Sequence, residues 1–363
     1  MNYFDRYTSN TLAGSSNQTF FISEDKDTIK TARVYFKIFS PGEYNYSFLF
    51  SNITDTTFNI ETHCNYVCDS WEICDLKVGI CNECYADKAT EPCEAMKTVT
   101  FNGETKKEVM PGEMFASDEV KVCFSEGSYL CLEISWKGHI VPCQKEKLIP
   151  VFALENGQWV KTNIIPAVNM VGCDRKVKSK IAFLGDSITQ GLGTQENLYE
   201  HWNVSLSEKL GGDNAYWNLG VGFARASDAA SDGNWLFKAK QNDVVIVCLG
   251  VNDIKSGRSA DEIVDDICKT ILILKEAGIK VILQTIPPFD YNAKQTVVWE
   301  RVNCAIKNTF CNYVEMVFDN VSVLCRSEKE RNKSRFGGHP NGEGCKRWTD
   351  ALYSNIIKNN FEM

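Results

Sequence analysis

Three short stretches hold the side chains best suited to chemistry. Ser187 lies in Gly185-Asp186-Ser187-Ile188-Thr189-Gln190-Gly191, Asn252 in Gly250-Val251-Asn252-Asp253, and His339 in Gly337-Gly338-His339-Pro340-Asn341. Hydrolysing an ester takes a nucleophile, a base for its proton, and neutral donors for the oxyanion of the tetrahedral intermediate. Ser187 can be the first, His339 the second, and the Asn252 amide one of the third. Each also has a plainer reading. A serine between strand and helix is often an N-cap, Asn-Asp after a strand is usually a turn, and a lone histidine is usually a partly exposed polar residue. The chain has four histidines. His63 and His139 fall in the first half, and His201, beside Trp202, reads as packing or surface. Serine, Asn-Asp and His-Pro in this order, each beside a glycine, are hard to obtain by accident.

The elements that must position these residues follow from hydrophobic period. Residues 180–184 form a short apolar run of the kind found in a fully buried parallel strand, and a helical pattern runs from about Leu198 to Leu210. Ser187 therefore sits at the carboxyl edge of a strand, where open α/β sheets bind ligands. Further strands are expected at 215–219, 243–249, 280–285 and 313–318. A capping box at Ser259-Ala260-Asp261-Glu262 opens a helix with the stripe Ile263, Ile267, Ile271 and Leu274, and Gly278 closes it. Other helices are expected at about 294–309 and from about Glu343 onward. Alternating strand and helix predict a parallel sheet with helices on both faces.

The first half has a strand period. Branched and aromatic runs at 31–39, 44–50, 98–101, 120–124 and 129–136 are separated by turns such as Ser40-Pro41-Gly42, Asn102-Gly103 and Glu126-Gly127. They predict a jelly-roll-like all-β sandwich over residues 1–172 and an α/β domain over 178–363. A short hairpin-like piece falls at about 151–160.

Composition narrows the function classes. Of 363 residues, 44% are hydrophobic, enough for sizeable cores, and the net charge of −8 disfavours nucleic acid or an anionic membrane as partner. No apolar run approaches the roughly 20 residues of a membrane span. The first residues lack a basic region followed by an apolar one, so the chain reads as cytoplasmic. The 16 cysteines are then expected to be mostly free thiols. Six of them, Cys64, Cys68, Cys74, Cys81, Cys84 and Cys93, cluster beside His63. Only Cys81-Asn82-Glu83-Cys84 has the two-residue gap of a zinc knuckle, so neither metal nor cofactor is expected.

From about Lys178 onward the chain resembles the SGNH hydrolases, also called GDSL esterases and lipases. Gly185-Asp186-Ser187 is similar to that family's nucleophile block, Asn218-Leu219-Gly220-Val221-Gly222 to its second, Gly250-Val251-Asn252-Asp253 to its third and His339-Pro340-Asn341 to its fifth. The resemblance implies a flavodoxin-like parallel sheet. It also implies a catalytic pair of Ser187 and His339, an oxyanion hole of Ser187, Gly222 and Asn252, and structural roles near the site for Asp186 and Asp253. In a gapless register the second block's usual glycine falls on Phe223. The family's acid, three residues before the histidine, falls on Phe336. A Ser–His dyad is therefore expected, its imidazole oriented by a backbone carbonyl or an acid remote in sequence. A β-sandwich ahead of such a domain resembles some carbohydrate esterases, implying short acyl esters, acetyl foremost, of a carbohydrate or another polar small molecule, and a possible homo-oligomer. The alternative is a catalytically degenerate fold that binds a carbohydrate or similar ligand.

Overall fold

A computed structural model describes residues 2–56, 65–144 and 148–361. It divides into two compact units that change over between Lys176 and Val177.

The first unit is antiparallel β-structure. The long strand Gly42–Ser51 lies between Met170–Cys173 on one side and Met114–Ala116 and Val120–Phe124 on the other. In a second sheet Tyr129–Gly138 lies between Lys30–Lys37 and Trp71–Cys81. Alternation sets the inner face: in Val120–Phe124 the buried residues are Val120, Val122 and Phe124, with Lys121 and Cys123 outside. The ring of Tyr46 meets that of Phe124 edge-on at 5.3 Å. The turn around Glu126-Gly127 passes the chain from one sheet to the other rather than closing a hairpin. The expected hairpin is formed by Val151–Glu155 and Gln158–Lys161. Its two-residue turn, Asn156-Gly157, has φ of 49° and 79°, the positive pair that matches strand twist.

The second unit is a five-stranded parallel sheet. Its spatial order is Ala215–Asn218, Lys180–Gly185, Val244–Cys248, Lys280–Gln284, Met316–Phe318. In chain order that is 2-1-3-4-5, the flavodoxin-like arrangement with its crevice beside the first strand. Every residue of Val244–Cys248 is buried, as a central parallel strand requires. The helix Ala260–Glu276 starts at the expected capping box and buries Ile263, Ile267, Ile271 and Leu274. The last helix, Gly342–Lys358, packs on Trp202–Leu210, where the indoles of Trp202 and Trp348 stack at 4.9 Å and 11°.

Two local expectations need correction. The helical pattern at Leu198 becomes a helix only at Trp202, because Asn197 and Tyr199 take left-handed φ of 64° and 55° and His201 is extended. The last strand is only Met316–Phe318, since Phe310–Asn312 forms a 3-10 turn first. Among the described residues every cysteine is a free thiol, and no group of His, Cys, Asp and Glu is arranged to hold a metal ion. His63 and Cys64 lie outside the described residues.

Gly220 joins the second strand of this unit to the turn that carries Ser187. A Cβ there would stand 2.2 Å from the Gln190 nitrogen and 2.4 Å from the Thr189 carbonyl carbon, both backbone atoms. Gly220→Ala must separate two backbone segments, and overpacking of this kind costs about 1–3 kcal/mol or more. The expected outcome is a lower urea midpoint with an unchanged m-value, measured by circular dichroism.

Candidate active site

Neighbouring strands deliver the first three blocks to one edge of the sheet. Gly185 pairs with Cys248 and Phe183 with Asn218, so the segments holding Ser187, Gly222 and Asn252 leave adjacent strands. The Asp186 carboxylate accepts the Ile188 N–H at 2.9 Å and caps the one-turn helix that Ser187 begins. Ser187 is thus raised on a tight strand-to-helix corner.

The second block is laced to the first and third. Val221 N–H donates to the Gly185 carbonyl, Gly220 N–H to the Asn218 side chain, and the Trp235 indole N–H to the Leu219 carbonyl. The Asn252 amide donates to the Ala224 carbonyl at 2.9 Å, leaving one of its two N–H groups for another acceptor. Asp253, fully buried, accepts the Ala226 N–H at 2.8 Å and pairs with Arg258 at 2.7 Å. Gly222 is buried, and neither its N–H nor that of Ser187 meets an acceptor among the described residues.

His339 arrives from the far end of the sequence. Its Nε2 stands 2.9 Å from Ser187 Oγ, across 152 residues of chain. That is hydrogen-bond distance, with the hydroxyl donating when the imidazole is neutral and carries its proton on Nδ1. Asn341 caps the following helix by accepting the Gly344 N–H at 3.0 Å. Gly193 presses on the histidine backbone: a Cβ there would lie 2.7 Å from His339 Cβ and 2.6 Å from the Pro340 carbonyl oxygen. The Phe289 ring meets the imidazole edge-on at 5.5 Å and 85°.

The expected partner at Nδ1 is a correction. Among the described residues the ring's hydrogen bond is to Ser187, and no carboxylate or backbone carbonyl bonds its other nitrogen. Packing by Phe289 and Gly193 holds the ring instead. Phe336, at the position of the family's acid, packs against the last helix: its ring lies 2.8 Å from the Cβ position of Gly344 and under the Arg347 guanidinium. Sequence reasoning did not find Phe289 or Gly193. The Pro287-Pro288 pair before Phe289 marks a loop at a strand end, the one signal available. His201 is buried, bonds Thr194 through Nδ1 at 3.1 Å, and is pushed down to about 4, so it stays neutral and serves packing.

Burial governs the electrostatics of the site. It lowers His339 below the usual histidine value of 6.5, with no anion raising it back. It lifts Asp186 to about 7, assisted by the nearby Asp253 charge and opposed by the Ile188 N–H. The second oxygen of Asp186 is buried without a hydrogen-bond partner. A carboxyl with a raised folded-state value stabilises the fold fully below its unfolded value of 3.8, and that stabilisation is lost as pH rises through about 7. A shift of this size is worth on the order of 4 kcal/mol. Asp186→Asn keeps the shape of the neutral form, so its thermal midpoint should fall less than that of the wild type between pH 5 and pH 8. Parallel curves in differential scanning calorimetry would show that Asp186 does not titrate in this range.

The sequence comparison agrees with this geometry. Residues 183–347 match the model of the GDSL-like lipase/acylhydrolase family. No curated protein matches the chain. Solved structures similar to it include a lipolytic protein of the G-D-S-L family from Veillonella parvula, 17% identical over 49% of this chain and 98% of that one, with a TM-score of 0.41. Another is a carbohydrate esterase family 3 protein from Talaromyces cellulolyticus, 20% identical over 49% and 96%, TM-score 0.37. A third is a psychrotrophic esterase from Pseudoalteromonas, 18% identical over 49% and 97%, TM-score 0.38. Residues 183–347 are a GDSL-like lipase/acylhydrolase domain, and the protein that carries them is a carboxylic ester hydrolase.

Proposed function

We propose that the protein removes short acyl groups, acetyl foremost, from a carbohydrate or similarly polar small molecule, using Ser187 and His339 as a dyad. The observation that carries this reading is the 2.9 Å contact between Ser187 Oγ and His339 Nε2, with no carboxylate among the described residues bonded to the ring's other nitrogen. Ser187 Oγ attacks the ester carbonyl while Nε2 takes its proton. The carbonyl oxygen becomes an oxyanion, and three donors support it: Ser187 N–H, Gly222 N–H and the second amide N–H of Asn252. The imidazolium returns its proton to the departing alkoxide, leaving an acyl-serine. Water, deprotonated by the same nitrogen, then releases the carboxylic acid and restores the hydroxyl. Asp186 and Asp253 hold the corner and the loops rather than entering these steps.

The carbohydrate part rests on the resemblance of an all-β unit plus a hydrolase unit to certain carbohydrate esterases. The short acyl group fits a reading without a lid-like apolar helix. Among the described residues no helix is long and apolar enough to cross a membrane. A cytoplasmic setting is part of the proposal, favoured by the many free thiols. So is a small-molecule partner rather than nucleic acid, favoured by the net charge of −8.

Hydrolysis of p-nitrophenyl acetate tests the dyad. Ser187→Ala and His339→Ala should each remove nearly all activity with the fold intact, and the double variant should be little worse than either. The acid limb of kcat/KM should lie below pH 6.5, because burial lowers His339 and nothing opposes it. A fully active Ser187→Ala would remove the assignment.

Asn252→Ala tests the oxyanion donors. Turnover should fall by about 10²–10³ while KM changes little, the signature of a donor used in the transition state. A variant altered only in KM would make Asn252 a ground-state binding residue.

A further inference from the structure

Phe223 is out of place by every rule that explains its neighbours. Ala224 N–H bonds the Val221 carbonyl and closes a four-residue turn in which Phe223 is third. Its φ is 65°, in the left-handed region that glycine fills freely and a bulky residue fills only under strain. The turn is otherwise buried: Val221 and Ala224 are fully inside, and so is Gly222. Phe223 alone is exposed, at 48%. Strain of this kind gathers at ligand contacts. Its position decides which ligand. Phe223 follows Gly222, whose N–H is a donor for the oxyanion, and precedes Ala224, whose carbonyl is held by Asn252. Its backbone is therefore fixed beside the reacting carbonyl.

We propose that Phe223 determines specificity by placing its ring against a flat ring in the alcohol half of the ester. This rests on the hydrolase reading above and deepens it. A short acyl group has too little apolar surface to occupy an exposed phenyl ring, so the partner surface belongs to the alcohol. The chemistry that fits is a ring with an apolar face, either an aryl group or the C–H face of a pyranose.

Glycine supplies the test, because Phe223→Gly removes the ring and suits the observed backbone. Three acetyl esters are compared: ethyl acetate, p-nitrophenyl acetate and an O-acetylated methyl glucopyranoside. In Phe223→Gly the ratio of kcat/KM for a ring-bearing ester to that for ethyl acetate should fall about 3- to 10-fold, the worth of one aromatic contact, through KM. Phe223→Tyr should restore it. A fall for the aryl ester alone assigns an aryl alcohol, and a fall for the glucoside alone assigns a sugar. Ratios unchanged for both overturn the inference and leave the hydrolase reading standing. A wild type inactive on all three, or a fully active Ser187→Ala, overturns the hydrolase reading and this inference with it.

Discussion

Everything at this site depends on keeping one side chain in reach of another 152 residues away: His339 Nε2 at 2.9 Å from Ser187 Oγ. Ser187 needs little support beyond its strand, because the corner at Gly185-Asp186 follows directly from the buried run 180–184. His339 has no strand. Its place is set by the helix that follows it. Trp348 of that helix stacks on Trp202 and donates its indole N–H to Gln284 at 2.7 Å, while Thr349 donates to the Trp202 carbonyl at 2.7 Å. These groups are buried, where hydrogen bonds and packing are hardest to give up. The histidine loop is thereby tied to both the sheet and the helix behind Ser187.

A histidine without a carboxylate solves a different problem from one in a triad. The acid of a triad fixes the tautomer and stabilises the imidazolium. Here the edge contact with Phe289 and the close approach of Gly193 fix the ring in space but offer nothing to the proton on Nδ1. The same desolvation that lowers the histidine keeps it neutral, and so able to accept a proton, over a wide pH range. The cost is an imidazolium that burial destabilises. In the proposed mechanism the oxyanion donors then carry more of the catalysis, which gives physical weight to a loop as tightly laced as the one from Asn218 to Ala226.

The sheet, its order of strands and its principal helices were legible because parallel strands are continuous apolar runs and capped helices announce their starts. Ser187, Asn252 and His339 were legible because glycine marks each of their loops. What stayed hidden depends on contacts between segments remote in sequence. Nothing in Leu198-Tyr199-Glu200-His201 warns that the helical period is overridden by two left-handed residues. Phe289 is an ordinary aromatic until it is seen against His339. The gapless register that put Phe223 in a glycine's place was readable, yet its meaning needed the backbone: only the positive φ shows that the chain keeps the glycine conformation without the glycine.

That conformation and the state of Asp186 express one constraint. Both are locally unfavourable, and both sit within the loops that meet at Ser187. Asp186 is buried with one oxygen unpartnered, although a carboxyl at a cap could as easily face water. Phe223 holds a backbone shape its own side chain resists. Local rules are broken at working sites when the surrounding structure over-determines the position. Here the over-determination is visible: Asp253 and Asn252 bond the Ala224–Ala226 segment from one side, while Gly220 and Val221 abut the Ser187 turn from the other. What the loops gain is position: in the proposed mechanism a fixed donor is what lets an oxyanion form without reorganising its surroundings.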